Sequence, residues 1–339
     1  MTKLLTSLEI CAGAGGQALG LEQAGFEHVA LVEIDQHACA TLRLNRPHWN
    51  VLSQDVHHFH AHTFRGVDLF AAGVPCPPFS KAGQQLGRDD DRDLFPQALR
   101  LVEECEPRAV ILENVRGLLD AVFDDYREQI NTKLRALGYA PRWRLVNASD
   151  FGVPQLRPRV LMVALQDEIA SFFDWPSASP IRPPTVGEAL VEAMGSAGWD
   201  GAVGWAANAN AVAPTLVGGS KKHGGPDLGP TRARKAWAAL GVDGRSLADH
   251  PPPPGFDGDP RLTVGMAAAI QGFPSSWLIS GRKTAAYRQV GNALPPPVAA
   301  AVGEQVAKAL RAFDGVTPQE RMTTKWQPVL VREPSFAST

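Results

Sequence analysis

The sequence lacks the features that attach a protein to a membrane or stabilise a secreted fold. Within its 339 residues no uninterrupted apolar run reaches the roughly 20 residues of a transmembrane helix, and the first ten residues contain no apolar secretory signal. The four cysteines are widely spaced without a C-x-x-C pair, which argues against a disulfide framework and a zinc knuckle. We therefore expect a cytoplasmic protein that makes no contact with a membrane.

The chain also has little net charge. Its 33 basic and 35 acidic residues give a formal charge of -2, so any contact with nucleic acid must come from a local basic surface. Hydrophobic residues make up 44% of the chain, which is enough for a sizeable core. Such a chain is long enough for one large globular domain and a smaller one.

The first half of the chain alternates short apolar runs with amphipathic stretches. This alternation predicts an α/β fold with a mostly parallel, doubly wound sheet. The predicted strands lie at 4–10, 29–33, 67–72, 109–113 and 159–164, with a short further strand before Asp55. The predicted helices between them lie near 17–25, 36–45, 94–105 and 124–137.

The amino-acid composition changes after residue 174. Glycine, proline, alanine and tryptophan dominate a segment of little periodicity, which predicts a loop-rich second domain over 175–280. A helical pattern near 263–271 is followed by an amphipathic helix near 297–313 that can return to the first sheet. We thus expect a catalytic and cofactor-binding domain over 1–174, a C-terminal return over 281–313 and a mobile tail over 314–339.

A glycine-rich turn follows the first predicted strand. Gly13, Gly15 and Gly16 would let the backbone approach a ligand at the start of a helix. Glu33 ends the next strand, where such folds place a carboxylate on ribose hydroxyls. Asp55 adds a second acid, although it alternatively only caps a turn. The pattern predicts a nucleoside-binding site. The alternative is a tight strand-to-helix connection that binds no ligand.

A second group of reactive residue types follows other predicted strands. Cys76 and Glu113 come just after or at the end of apolar runs, so they are expected at the same edge of the sheet. Arg157 and Arg159 lie at alternate positions leading into the next strand and point to one face. A lone cysteine is more often a buried apolar residue, and Glu113 alternatively only pairs with an arginine. Together these groups favour a reaction site.

The ordered motifs of the chain resemble those of the bacterial DNA (cytosine-5)-methyltransferases. The motifs lie at 12–16, 75–76, 113–115, 155–159, 271–274 and 287–295. The resemblance implies a Rossmann-like fold that uses S-adenosylmethionine and releases S-adenosylhomocysteine. It also implies methylation of cytosine carbon 5 in a specific double-stranded DNA sequence, by a monomer that is nucleoid-associated when acting. Such an enzyme is an orphan or belongs to a restriction-modification system with a separate endonuclease.

The resemblance also implies residues for the cofactor site. They lie on the glycine-rich turn, at strand ends and near the C-terminal return: Cys11, Gly13, Gly15, Gly16, Glu33, Asp55, Val56, Leu94, Asn292 and Leu294. Cys11 stands where the family usually has an aromatic residue, which predicts weaker stacking on adenine. Pro77 also departs from the pattern, because the family commonly has glutamine or asparagine after the nucleophile.

The catalytic residues implied by the resemblance are Cys76, Glu113, Arg157 and Arg159. Cys76 would attack carbon 6 of a flipped cytosine and turn the ring into an enamine that accepts the methyl group. Glu113 would hold ring nitrogen 3 and the amino group, and Arg159 the ring carbonyl. Arg157 would orient neighbouring groups or a phosphate. The sequence identifies no residue for the base that removes the carbon 5 proton.

DNA contacts are expected in two places. One is Ser80, in the loop over 79–93 that follows the nucleophile, and the other is a basic part of the 175–280 segment, which the resemblance makes the target-recognition domain. The basic side chains are Lys221, Lys222, Arg232, Arg234 and Lys235. Alternatively they form a solvated charged face. The chemistry needs no metal, so we expect none at the histidines of residues 57–62.

Three other functions compete with this interpretation. A tRNA cytosine-5 methyltransferase shares the motifs, but it typically has a short recognition region. A catalytically silent DNA-binding relative is disfavoured because all four catalytic residue types are present. A dinucleotide oxidoreductase would explain the glycine-rich turn and none of the later motifs.

Overall fold

A seven-stranded sheet forms the centre of the protein. The computed structural model describes residues 4–75, 93–219 and 225–316. The strands are β1 (Leu5–Ile10), β2 (Phe26–Glu33), β3 (Val51–Ser53), β4 (Leu69–Gly73), β5 (Ala109–Val115), β6 (Tyr139–Asn147) and β7 (Pro158–Gln166). Their order is β3-β2-β1-β4-β5-β7-β6. The first five in this order are parallel, and β7 is antiparallel to both of its neighbours. The predicted α/β class and mostly parallel sheet are confirmed.

Ten α-helices lie within the described residues. They are α1 (Gly16–Gln23), α2 (Gln36–Asn45), α3 (Phe95–Cys105), α4 (Asp124–Ala136), α5 (Val186–Gly195), α6 (Ala202–Asn208), α7 (Thr231–Ala238), α8 (Val264–Ile270), α9 (Lys283–Asn292) and α10 (Pro296–Gly315). Local chemistry explains several of their starts. Asp35 caps α2 by accepting from two backbone N–H groups, and Thr185 and Glu188 form a capping box at α5. None of the described helices is long and apolar enough to span a membrane.

The predicted strands and helices are present in the structure, but helices α5, α6, α7 and α9 and strand β6 were not predicted. Strand β6 has a clear reason. Its sequence carries Pro141 and two arginines, and most of its side chains are only partly buried, so it shows no clean alternation of apolar and polar residues. A proline is tolerated there because β6 is the edge strand of the sheet. An edge strand of this kind has little apolar signal in sequence.

The two faces of the sheet carry separate hydrophobic layers. One face packs Leu5, Ala71, Ile111 and Leu161 against α1 and α10. The other face packs against α3 and α4. Helix α10 thus returns to the sheet formed by the first half of the chain, as predicted. Contact between α1 and α10 is close, since a Cβ at Gly20 would lie 2.4 Å from the carbonyl oxygen of Pro296.

A third hydrophobic cluster joins the sheet region to the segment that follows. It contains Leu42 and Trp49 from the first part, and Leu190, Trp237 and Tyr287 from later helices. Residues on both sides of position 175 thus share one buried core. The division into domains at 175–280 stays a prediction.

Candidate active site

Two of the predicted catalytic residues, Glu113 and Arg159, lie at one edge of the sheet. In the parallel pair β4–β5, Gly73 is in register with Glu113, and in the antiparallel pair β5–β7, Val115 is in register with Arg159. The ends of β4 and β5 and the start of β7 therefore meet at the same edge. This is the edge at which parallel α/β sheets bind ligands.

Glu113 and Arg159 form an ion pair at this edge. Arg159 Nε lies 2.8 Å from Glu113 Oε1, and both side chains are about nine-tenths buried. Burial raises the pKa of Glu113, while the positive charges of Arg159 and Arg157 act in the opposite direction. The carboxyl group is thus more readily protonated than an exposed glutamate, so it can donate a hydrogen bond as well as accept one.

Arg157, predicted to orient neighbouring groups or a phosphate, is bound to the backbone. Its side chain is fully buried, and its guanidinium donates to the carbonyl oxygens of Leu216, Gly291 and Ala293 at 2.8, 2.7 and 3.1 Å. These carbonyls belong to two segments that are distant in sequence. The geometry favours a positioning role for Arg157 over contact with a base or a phosphate, because its donors already hold the backbone.

Gln155 and Gln271 extend this buried network, and sequence reasoning gave neither a role. Gln155 Nε2 donates to Gln271 Oε1 at 2.7 Å, and Gln155 Oε1 accepts from the Leu216 N–H at 2.9 Å. Gln271 Nε2 in turn donates to the carbonyl oxygen of Ala293. Both glutamines lie in motifs named above, at 155–159 and 271–274, and this was the sequence feature that could have pointed to them. They fix the loop before β7 against the end of α8 and the end of α9.

The glycine-rich turn is held by Glu33. Glu33 Oε2 accepts from the Gly13 N–H at 2.7 Å, and Oε1 accepts from the Asp35 N–H at 2.7 Å. Gly13 and Gly15 have φ values of 54° and 81°, in the left-handed region that favours glycine. Burial raises the pKa of Glu33, although the backbone donors lower it. Each carboxylate oxygen keeps a lone pair for a further donor such as a ribose hydroxyl.

Four of the remaining predicted cofactor residues, Leu294, Val56, Leu94 and Cys11, pack against the turn or within one hydrophobic cluster. A Cβ at Gly16 would lie 2.1 Å from the carbonyl oxygen of Leu294, so the turn abuts that residue directly. Val56 and Leu94 belong to the same hydrophobic cluster, against which Cys11 also packs.

Asp55 and Asn292 make contacts of a different kind. Asp55 Oδ1 accepts from the His57 N–H at 2.9 Å, so it does cap a turn; a cofactor contact remains a prediction. Asn292 is exposed at the end of α9, and its Nδ2 donates to the carbonyl oxygen of Gly219 at 3.1 Å. The packing there is tight, because a Cβ at Gly291 would lie 2.5 Å from Gly218 Cα.

Two residues near the turn were missed by sequence reasoning. Ile34 is 59% exposed directly after Glu33, which places an apolar surface beside the carboxylate. Its signal was an aliphatic residue following a strand-end acid. Trp277 donates from Nε1 to the carbonyl oxygen of Ala14 at 3.0 Å. That contact joins residues 263 positions apart and left no local signal.

Several predicted residues lie outside the described ranges. They are Cys76, Ser80, Lys221 and Lys222. The proposed tail over 314–339 is described only to residue 316.

Three of the predicted DNA-binding residues lie on helix α7. Arg232 and Lys235 are exposed, and Arg234 is half-buried. Arg234 and Lys235 line a cavity of about 510 Å³ together with Arg245 and Asp243. The fully buried ring of Trp237 anchors the opposite side of the helix. The helix therefore presents its positive charges outward, as a surface that contacts DNA or as a solvated charged face.

The histidine-rich loop after β3 contains one possible metal-ligand group. Ligand atoms of His60, His62 and Glu104 lie within 4.8 Å of one another. Arg100 Nη1 already bonds Glu104 Oε1 and lies 3.4 Å from His60 Nδ1. A cation bound there would face an existing positive charge, and the predicted chemistry requires no metal.

Comparison with known proteins agrees with this geometry. Residues 5–215 and 241–308 match the family model of C-5 cytosine-specific DNA methylases. Type II methyltransferase M.NgoMIV of Neisseria gonorrhoeae is 54% identical over 313 residues, which cover 90% of this chain and 98% of that protein. Type II methyltransferase M.NaeI of Lentzea aerocolonigenes is 55% identical over 312 residues, which cover 90% of this chain and 75% of that protein.

Solved structures show the same fold. A putative DNA modification methyltransferase encoded within an E. coli prophage superposes with a TM-score of 0.65 at 23% identity, covering 90% of this chain and 99% of that chain. The predicted family, activity and methyl donor are confirmed. The chain belongs to the C-5 cytosine-specific DNA methylase family, whose members transfer a methyl group from S-adenosylmethionine to carbon 5 of cytosine in DNA.

Proposed function

We propose that this DNA methyltransferase acts through Cys76, Glu113 and Arg159 on a cytosine that has been swung out of the double helix. The observation that carries the proposal is the buried ion pair of Glu113 and Arg159, at the edge where β4 ends three residues before Cys76. A target base is inaccessible inside a duplex, so extrusion, at a cost of a few kcal/mol, must precede the reaction.

The other cysteines are poor candidates for the nucleophile. Burial raises the pKa of the Cys11 and Cys39 thiols, and it raises the pKa of Cys105 to about 12. A thiol with a raised pKa holds little thiolate at neutral pH, and thiolate is the reactive form. This supports Cys76, the fourth cysteine of the chain, as the attacking group.

The proposed reaction has two stages. The Cys76 thiolate forms a bond to carbon 6 of cytosine, and the electron pair of the 5,6 double bond becomes available at carbon 5. Carbon 5 takes the methyl group and S-adenosylhomocysteine leaves. A base then removes the carbon 5 proton, the double bond re-forms and the thiolate departs. No described residue is assigned as that base, and water suffices for the role.

Glu113 and Arg159 stabilise the charge that develops during this attack. A protonated Glu113 donates a hydrogen bond to ring nitrogen 3, where electron density accumulates, and accepts one from the 4-amino group. Arg159 would hold the ring carbonyl of the same cytosine. The contact of its Nε with Glu113 Oε1, an oxygen that can accept in either protonation state, fixes the relative orientation of the two groups.

The glycine-rich turn and Glu33 fit an adenosine-type cofactor. Glu33 retains acceptor capacity for ribose hydroxyls, and the exposed face of Ile34 suits an aromatic ring. S-adenosylmethionine supplies an electrophilic methyl group when bound. Gly13, Gly15 and Gly16 leave room for its approach, and Asp55, Val56, Leu94, Asn292 and Leu294 are proposed to complete the site.

The segment over 175–280 is proposed to recognise the target sequence. Arg232, Arg234 and Lys235 of α7 would face the DNA, and Ser80, Lys221 and Lys222 would add contacts from the two segments outside the described ranges. The relatives named above are Type II methyltransferases. We propose that this chain likewise protects DNA against a separate cognate endonuclease. We also propose that it acts as a monomer associated with the nucleoid.

Covalent trapping tests the nucleophile. Cys76→Ser is expected to abolish incorporation of labelled methyl groups while preserving the melting temperature, because an alcohol ionises far less readily than a thiol. DNA containing 5-fluorocytosine should form a denaturation-resistant adduct with the native enzyme, since fluorine cannot leave as a proton does. Cys105→Ser serves as the matched control and should still form the adduct.

Bisulfite sequencing of DNA from cells that express the protein would identify the methylated sequence. Methylation by Cys76→Ser at the native rate, or no adduct on a DNA that the enzyme methylates, would contradict the covalent mechanism.

A further inference from the structure

Gln17 is a buried polar residue without an assigned role. It is the second residue of α1, its side chain is 4% exposed, and neither its Oε1 nor its Nε2 has a hydrogen-bond partner among the described residues. An orphaned buried amide costs about 1–3 kcal/mol, so a residue of this kind is retained for a reason other than stability.

The position of this amide connects it with the proposed active site. A Cβ placed on Gly73 would lie 3.7 Å from Glu113 Oε2 and 3.9 Å from Gln17 Oε1. Both oxygens therefore flank the same point above β4, on the face of the sheet that carries α1. Glu113 Oε1 faces Arg159, so Oε2 is the oxygen on the Gln17 side.

Two acceptor oxygens in direct contact would repel unless a proton lay between them. The carbonyl oxygen of Gln17 can only accept, and a protonated carboxyl group can donate. We propose that Gln17 is a positioning residue that accepts a hydrogen bond from the protonated Oε2 of Glu113 and so keeps the carboxyl group neutral and oriented before cytosine enters. This inference rests on the proposed role of Glu113 in holding ring nitrogen 3.

The charges around Glu113 explain why such an acceptor would be needed. Arg159 and Arg157 face it from β7 and the segment before it, and both favour the charged carboxylate. Glu9 lies on β1, on the same face of the sheet, and burial raises its pKa well above the usual range. An acceptor for the acidic proton counteracts the two arginines and stabilises the neutral form of Glu113.

The pH dependence of the enzyme tests this role. In the free enzyme, kcat/KM for DNA should decline at alkaline pH as Glu113 loses its proton. The fall in kcat/KM at high pH is called the alkaline limb of the pH profile. Gln17→Met preserves side-chain length but removes the strong acceptor, so the alkaline limb should shift to a pH about one unit lower. Gln17→Glu places a second carboxyl group beside Glu113, so the two share a proton and the limb should move up.

The assay uses an unmethylated plasmid in which a site has been mapped by bisulfite sequencing. The melting temperature of Gln17→Met should change little, because the substitution removes the unpartnered Nε2 together with the proposed hydrogen bond to Oε1. An alkaline limb unmoved in Gln17→Met, or a rate lowered equally at every pH, would overturn the proposal. If Gln17→Met does not fold, Gln17→Glu decides: an unmoved limb overturns the proposal and an upward shift supports it.

The variant Glu113→Gln separates this inference from the proposed function. It should lose most of its activity, and any residual rate should lack the alkaline limb. Full activity in Glu113→Gln would refute the assigned role of Glu113 itself. Low activity in Glu113→Gln together with native behaviour in Gln17→Met would refute only the role of Gln17.

Discussion

At the residue scale, several buried polar groups make contacts that serve structure and chemistry together. Glu33 closes the glycine-rich turn through two backbone hydrogen bonds, yet its expected partner is the ribose of the cofactor. The same carboxylate thus shapes the turn and is proposed to bind the cofactor. A substitution should disturb both properties, and the two effects are separable by measurement.

Glu33→Ala is expected to raise KM for S-adenosylmethionine more than it lowers kcat, because the contact is equally strong in the ground and transition states. It should also destabilise the fold, since the N–H groups of Gly13 and Asp35 lose their acceptor at about 1–3 kcal/mol each. Calorimetric titration with the cofactor and thermal unfolding measure the two effects. Glu27→Ala, an exposed position on the same strand, is the control. Unchanged cofactor affinity would leave Glu33 with a structural role alone.

At the element scale, α7 carries the three predicted DNA-binding side chains that the structure describes. Replacing Lys235 with alanine should weaken binding to all DNA sequences alike, as expected for a phosphate contact. It should also reduce the salt slope, which is the slope of the logarithm of the binding constant against the logarithm of the salt concentration, by about one unit. Arg232→Ala or Arg234→Ala should instead cost about 1–3 kcal/mol at the target and little elsewhere, if the planar guanidinium reads guanine.

Binding to target and scrambled duplexes at several salt concentrations distinguishes these outcomes. Arg311→Ala is the matched control, because this exposed arginine lies beside Gly25, at the edge of the sheet opposite the site. If all three α7 variants keep the native slope and specificity, the helix is merely a solvated face.

The elements also show what the sequence could predict. The apolar runs of the buried strands were sufficient for the fold class. The meeting of Glu113 with Arg159 was expected from the family resemblance and not from local pattern, because it depends on β7 running antiparallel to β5. Strand β6 was missed, since an edge strand needs little apolar sequence. The buried settings of Arg157 and Gln17 depend on contacts with distant segments, which periodicity does not encode.

At the scale of the whole molecule, one hydrophobic cluster spans residues of the sheet region and of the proposed recognition domain. We expect a single calorimetric unfolding transition, because neither part can expose its share of this cluster without the other. Two resolved transitions, or a stable proteolytic fragment covering 175–280, would show that the parts fold independently. Arg157→Met should lower the transition temperature, since the buried carbonyl groups of Leu216 and Gly291 lose their donor.

The close packing of Gly218 against Gly291 limits how recognition segments can be exchanged between relatives. A Cβ at Gly291 would meet Gly218 Cα, and a Cβ at Gly218 would lie 2.6 Å from Asn292 Oδ1. A chimera therefore has to keep glycine at both positions, together with Leu216, whose carbonyl binds Arg157. Grafts that begin after residue 219 should preserve methylation while transferring sequence preference, whereas grafts that replace 216–218 with larger residues should yield inactive hybrids.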